Sequence, residues 1–310
     1  MGAIIKVEHL SHRYSVQWAI KDINIEIPRK GIYGLLGSNG AGKSTLMNSI
    51  CGIIKPTEGK IYIDSVEVGE NPILAKSKIG FLPQQPPVYG DLNVYEYLYY
   101  AAELRGMETR DIPAAIERVL ELCQIAHFRK RLIRNLSGGY QQRVGIAQAI
   151  IHQPSIVIFD EPTNGLDPNQ VADIRSLIRL IAKEHTVIFS SHILQEVRAL
   201  CEHIYMIEQG EVAFDGSIEE FDSLASPDSI FVTLRDAPAL SSIELIDGVM
   251  GVEELGDDNF RIRFSDARLA MDGLVRASTE NRWRMTEIRL EKKSLETIFA
   301  ELVQRAKERQ

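Results

Sequence analysis

The chain has 310 residues and a net charge of −8, from 35 basic and 43 acidic side chains. Hydrophobic content of 45% and charged content of 25% suit a globular protein of one large or two smaller domains. The acidic balance argues against a general nucleic-acid binder, which needs a dominant basic surface.

The opening MGAIIKVEHL lacks a secretory pattern, and Lys6 stands where a myristoylation site has Ser or Thr. Residues 1–30 alternate like antiparallel strands, up to the turn-forming Pro28 and Gly31. Residues 61–68, IYIDSVEV, read as another alternating segment. From Val94 to Ile125 the rhythm is helical, with breakers at Gly106 and Pro113. SIVIFD and TVIFSS are short continuous apolar runs, which mark strands buried on both faces of a parallel sheet. Between them Asp167-Pro168 starts a helix whose stripe is Val171, Ile174, Leu177, Ile178 and Ile181. No run reaches the length of a membrane span. Cys51, Cys123 and Cys201 are odd in number and widely spaced, so they read as thiols in a reducing compartment.

The polar stretch FDSLASPD sets a boundary, giving domains 1–222 and 223–310 with a helical insertion over about 86–150. Beyond it the order is SIFVTLR as strand, a weak helix over 238–247, GVEEL and NFRIRF as strands, a helix over 266–280 and WRMTEIRL as strand. A last helix presents Leu295, Ile298, Phe299, Leu302 and Val303 on one face. This β-α-β-β-α-β order predicts a small ferredoxin-like α+β unit behind an α/β core.

Three stretches carry chemistry. Gly37, Ser38, Asn39, Gly40, Ala41, Gly42, Lys43, Ser44 and Thr45 match the phosphate-binding P-loop. Its glycines let successive N–H groups face a phosphate, Lys43 reaches the β- and γ-phosphates, and Ser44 holds Mg²⁺. SIVIFDEP ends a buried strand in Asp160, which can bind Mg²⁺, and Glu161, which can activate a water. In NLSGGYQQR, Ser137, Gly138 and Gly139 form a second anion site, about a hundred residues after the first. A composite site across a dimer accounts for two such sites in one subunit.

GSNGAGKST, LSGGYQQR and IVIFDEPTNGLD, in that order, resemble the ATP-binding-cassette (ABC) transporter ATPases over residues 1 to about 220. The resemblance implies a P-loop NTPase core with an antiparallel β subdomain and a helical insertion. Read alone, His192 is an interior histidine and Tyr14 a core or surface aromatic. By resemblance, Tyr14 stacks on adenine and His192 is the switch histidine at the γ-phosphate. Gln84 senses Mg²⁺ and the attacking water, and Asn164 to Asp167 contact the opposite subunit. Ser38 replaces the usual proline and Tyr140 the common glutamine, neither in a catalytic role.

The family then implies an ATPase with ATP and Mg²⁺. Its catalytic set would be Glu161, His192, Gln84 and Lys43, and its metal ligands Ser44, Gln84 and Asp160. It implies a head-to-tail homodimer, or a heterodimer with a related ATPase, at the cytoplasmic face of the membrane, driving integral membrane permease subunits. Five of the ten tyrosines fall within residues 89–100, where the family docks its membrane partner. The tail ending LEKKSLETIFAEL resembles that of exporter-type ATPases, including antibiotic-resistance members. The alternatives are a cytosolic ABC ATPase on a ribosome or nucleic-acid complex, and a non-catalytic scaffold. Arg129-Lys130-Arg131 reads as a solvated face, so no nucleic acid is expected.

Overall fold

The structure is a computed structural model that describes residues 3–224 and 227–291. The expected last helix lies outside the described residues. By internal packing the chain divides into one unit up to Ile218 and a second from Glu219 onward.

In the first unit, Ile5–Tyr14 (β1) and Gln17–Ile27 (β2) form a hairpin, and Ile32–Leu36 (β3) leads into Lys43–Ile50 (α1). Glu58–Ile63 (β4) and Val66–Glu67 (β5) follow, then Pro72–Ser77 (α2) and Ile79–Leu82 (β6). The helical insertion holds Val94–Leu104 (α3), Ile112–Leu122 (α4) and Gly138–Ile150 (α5). Ile156–Asp160 (β7), Pro168–Ile181 (α6), Thr186–Ser191 (β8) and Leu194–Leu200 (α7) return the chain to the core. His203–Glu208 (β9) and Glu211–Ser217 (β10) follow, and Ile218–Leu224 (α8) carries the chain across the boundary into the second unit.

Two sheets result. One is antiparallel, in the order β2-β1-β4-β5; the other runs β10-β9-β3-β8-β7-β6 and is parallel from β9 to β6. One hydrophobic cluster draws on both sheets and on α1, with Ile5, Ile63, Leu35, Met47 and Ile188 among its members. Every residue of β3, β7 and β8 is buried, as expected for strands covered on both faces.

Two local expectations change. Residues 61–68 are not one strand, because Asp64 and Ser65 take left-handed φ values of 46° and 66° and turn the chain into a hairpin. Pro113 does not break a helix; it lies in the first turn of α4, where its missing N–H costs no hydrogen bond. β6, β9 and β10 also belong to the large sheet.

In the second unit, Ser229–Leu234 (β11), Leu240–Glu244 (α9), Val249–Gly256 (β12), Asn259–Phe264 (β13), Ala267–Asn281 (α10) and Met285–Glu291 (β14) follow in turn. The sheet order β12-β13-β11-β14, with every neighbouring pair antiparallel, is ferredoxin-like. Ile230, Val232, Phe260, Ile262, Leu274 and Trp283 form its core. The three cysteines are buried free thiols. Among the described residues no helix is long and apolar enough to cross a membrane.

His152, between α5 and β7, donates its Nε2–H to the Ile79 carbonyl at 3.2 Å, while its buried Nδ1 has no partner. Burial, aided by the Arg105 cation, lowers its pKa to about 4 from 6.5. Between those values the unfolded chain binds more protons than the folded one, so stability rises with pH. This contribution is complete above pH 6.5 and is lost as pH falls towards 4. Urea unfolding midpoints should drop across that window, and His152→Gln should flatten the slope.

Candidate active site

β3 is buried along its whole length, and the chain leaves it through a loop whose shape depends on glycine. Gly42 takes φ 110°, and a Cβ there would lie 2.7 Å from the Ala19 carbonyl oxygen. Gly37 is equally confined, since a Cβ on it would lie 2.4 Å from the Ile207 carbonyl oxygen. The loop delivers Lys43 to the start of α1, where its ammonium donates to the carbonyls of Gly37 at 2.9 Å and Ser38 at 3.0 Å. Ser38, the departure from the usual proline, donates its hydroxyl to Glu208 at 3.0 Å.

β7 ends in Asp160, and Glu161 follows in the left-handed region at φ 46°. Such a conformation is uncommon for a residue with a side chain, and it concentrates at sites that need a particular aim. Ser190 holds the turn: its hydroxyl donates to Asp160 Oδ1 at 2.8 Å and accepts the Glu161 N–H at 2.9 Å. Burial pushes the Asp160 carboxyl above its usual range, against hydrogen bonds from Ser190 and Ser44 that lower it. Around the Glu161 carboxylate stand Lys43 Nζ at 3.6 Å, His192 Nδ1 at 3.2 Å and Gln84 Nε2 at 3.5 Å.

These groups line one cavity of about 420 Å³, with Ala19, Asn39, Gly40, Gly42, Ser44, Thr45 and Asn164. Ala19 had no signal in the sequence, since an alanine in a strand carries no chemistry. Ser190 could have been noticed as a hydroxyl ending a buried apolar run. Tyr14 is not on this cavity; it stands exposed at the end of β1, edge-on to His12 with centroids 4.8 Å apart. Ser137 and Gly139 line a separate recess of about 90 Å³ with Tyr140, Arg143, Gln170, Asp173 and Ile174. Ser137 is the N-cap of α5, yet its side chain makes no capping bond. Asp167, by contrast, caps α6 by accepting from the N–H groups of Asn169 and Gln170 at 3.0 and 3.1 Å.

A phosphate-sized anion suits the first cavity: an ammonium, a glycine loop and a helix N-terminus converge on it. A family profile described as "ABC transporter" matches residues 20–164. The bacitracin transport ATP-binding protein BcrA of Bacillus licheniformis is 33% identical over 308 residues, 98% of this chain and 98% of that protein. This chain belongs to the ABC transporter ATP-binding family.

Among solved structures, cbiO1 of Clostridium perfringens, described as part of the ABC transporter complex cbiONQ, is similar to this ABC ATPase at 30% identity. Its TM-score is 0.66, covering 72% of this chain and 92% of that one. A cassette solved as a dimer in a post-hydrolysis state, bound to ADP and Pi, is 28% identical with a TM-score of 0.63, covering 69% of this chain and 98% of its own. The protein is an ATP-binding, ATP-hydrolysing subunit, and the transporter reading holds over the ribosomal alternative.

The insertion's tyrosines divide by burial. Tyr97 is 4% exposed and donates its hydroxyl to the Pro87 carbonyl at 2.9 Å, so a charge placed there would test folding rather than docking. Tyr89 and Tyr100 are exposed and pack edge to face at 5.8 Å. In the basic run, Arg129 pairs with Glu117 and covers the Tyr95 ring at 4.4 Å, while Arg131 lies over Phe128.

Proposed function

We propose that this ABC ATPase powers an exporter as one half of a head-to-tail dimer, with a separate membrane-spanning partner that holds it at the cytoplasmic face. Each ATP would lie between the 37–45 loop of one protomer and Ser137, Gly138 and Gly139 of the other. The observation that carries this reading is that the 37–45 loop and the Ser137–Gly139 stretch line two separate cavities of one chain, with the Ser137 hydroxyl left out of its own helix cap. The export direction draws support from the relative named for bacitracin transport. The accessory unit from Glu219 onward would regulate the cassette, add dimer contacts or stabilise the chain.

In this scheme Lys43 leaves the Gly37 and Ser38 carbonyls for the β- and γ-phosphates. Glu161 takes a proton from water as the water oxygen attacks the γ-phosphorus, and the bond to the ADP oxygen breaks. His192 holds a γ-phosphate oxygen and Gln84 orients the water, while Tyr14 stacks on the base and the 164–167 loop meets the partner protomer. Ser44, Asp160 and Gln84 would hold Mg²⁺; their all-oxygen donor set and the Ser44–Asp160 hydrogen bond suit a hard cation. Bound there, the ion would neutralise phosphate charge.

The test is recovery of a partner. Tagged Glu161→Gln protein with ATP is incubated with detergent-solubilised membranes from its own source, beside Lys43→Ala. A multi-span protein recovered in near-equal amount with the first and lost with the second is the expected outcome. Recovery of ribosomal or other soluble complexes alone would overturn the membrane assignment.

A further inference from the structure

Glu196, on α7, is 3% exposed, and the scheme above gives it no role. A buried carboxylate is costly unless its oxygens are filled. Here both are. Oε2 accepts the hydroxyls of Thr163 and Ser191, each at 2.8 Å, and Oε1 faces Arg175 of α6 at 3.7 Å. Ser191 also accepts the Ile193 N–H at 3.0 Å, which fixes the chain on both sides of His192.

The positions of the two hydroxyls give this node its meaning. Thr163 lies two residues after Glu161, and the Asn164 N–H returns to the Glu161 carbonyl at 3.1 Å, so the 161–164 loop is one closed turn. Ser191 immediately precedes His192. One carboxylate oxygen therefore ties the loop that carries Glu161 to the segment that carries His192. Hydrophobic packing could hold the same spacing, but it would not fix two hydroxyl directions or engage Arg175.

We propose that Glu196 is a positioning residue for ATP hydrolysis: it clamps the Glu161 loop and the His192 segment together, so that their 3.2 Å contact is kept as the site closes. Arg175 extends the clamp to α6, whose N-terminus carries the 164–167 loop. The inference rests on the assignment of Glu161 and His192 to hydrolysis.

Full-length Thr163→Val, Thr163→Ser, Ser191→Ala and Glu196→Gln are compared for kcat, KM for ATP, ATP-binding stoichiometry and melting temperature. Misplacing a reacting group by about 1 Å costs about 10²-fold, and that is the fall in kcat expected for Glu196→Gln, with KM for ATP nearly unchanged. Thr163→Val should lose rate and Thr163→Ser recover it. Adding Thr163→Val to Glu196→Gln should cost little more, since both break one network. A purely structural role would lower the fraction of chains that bind ATP and leave kcat per binding site intact, which would overturn the proposal. So would additive losses. If Glu196→Gln does not fold, the Thr163 pair decides: equal kcat for Val and Ser overturns it. Failure of the underlying assignment is distinguishable, because it appears as unimpaired turnover in Glu161→Gln.

Discussion

Glu161→Gln should lower ATP turnover by about 10²–10⁴-fold, the usual worth of a positioned general base. The substitution preserves shape and removes basicity. Glu161 is held by its backbone as much as by its side chain: its N–H is tied to Ser190 and its φ is left-handed. Glutamine in that place keeps the loop and can still meet His192 and Lys43, so ATP should bind as before. In the proposed dimer the nucleotide is part of the interface, so a complex that binds and does not hydrolyse should accumulate as a closed dimer. Phosphate release and size-exclusion profiles in ATP give the two readouts. Turnover equal to that of the parent protein would remove Glu161 as the base.

Lys43→Ala should act on the other side of the cycle, weakening ATP itself. A hydrogen bond to a charged group is worth about 1.5–3 kcal/mol, so affinity should fall by about 10- to 10²-fold. Lys43 is buried and its ammonium rests on two carbonyls and near the Glu161 carboxylate, so its charge is held in place before any ligand arrives. Lys43→Arg should not restore binding, because a planar guanidinium does not fit a cradle shaped for a compact ammonium. Nucleotide titration separates the two variants: Glu161→Gln keeps affinity and loses turnover, whereas Lys43→Ala loses both. Unchanged affinity in Lys43→Ala would remove it from the phosphate contacts.

Much of this protein could be read from its residues alone. The 37–45 loop is legible because its conformation is a local matter: glycines stand where φ is positive or where a Cβ would strike another carbonyl. The apolar runs at β7 and β8 are legible because strands covered on both faces cannot alternate. The ferredoxin-like order of the second unit came from alternation and turn residues, though Trp283 proved to be core rather than the start of a strand. The roles proposed for Tyr14 and His192 rest on resemblance, and Tyr14 does not line the cavity that His192 lines.

Strand order was decided only by the tertiary structure. Lys43, His192, Glu161 and Gln84 follow β3, β8, β7 and β6, which are neighbours in that order in one parallel sheet. Parallel strands bring their C-terminal ends to one edge, so four residues spread over about 150 positions meet in a single cavity. No local pattern encodes that neighbourhood. The Glu196 node depends on it as well, since a carboxylate on an unremarkable amphipathic helix becomes a clamp only when β7 and β8 lie side by side. Short-range sterics and hydrophobic periodicity wrote the parts into the sequence; the long-range pairing of the strands made them a site.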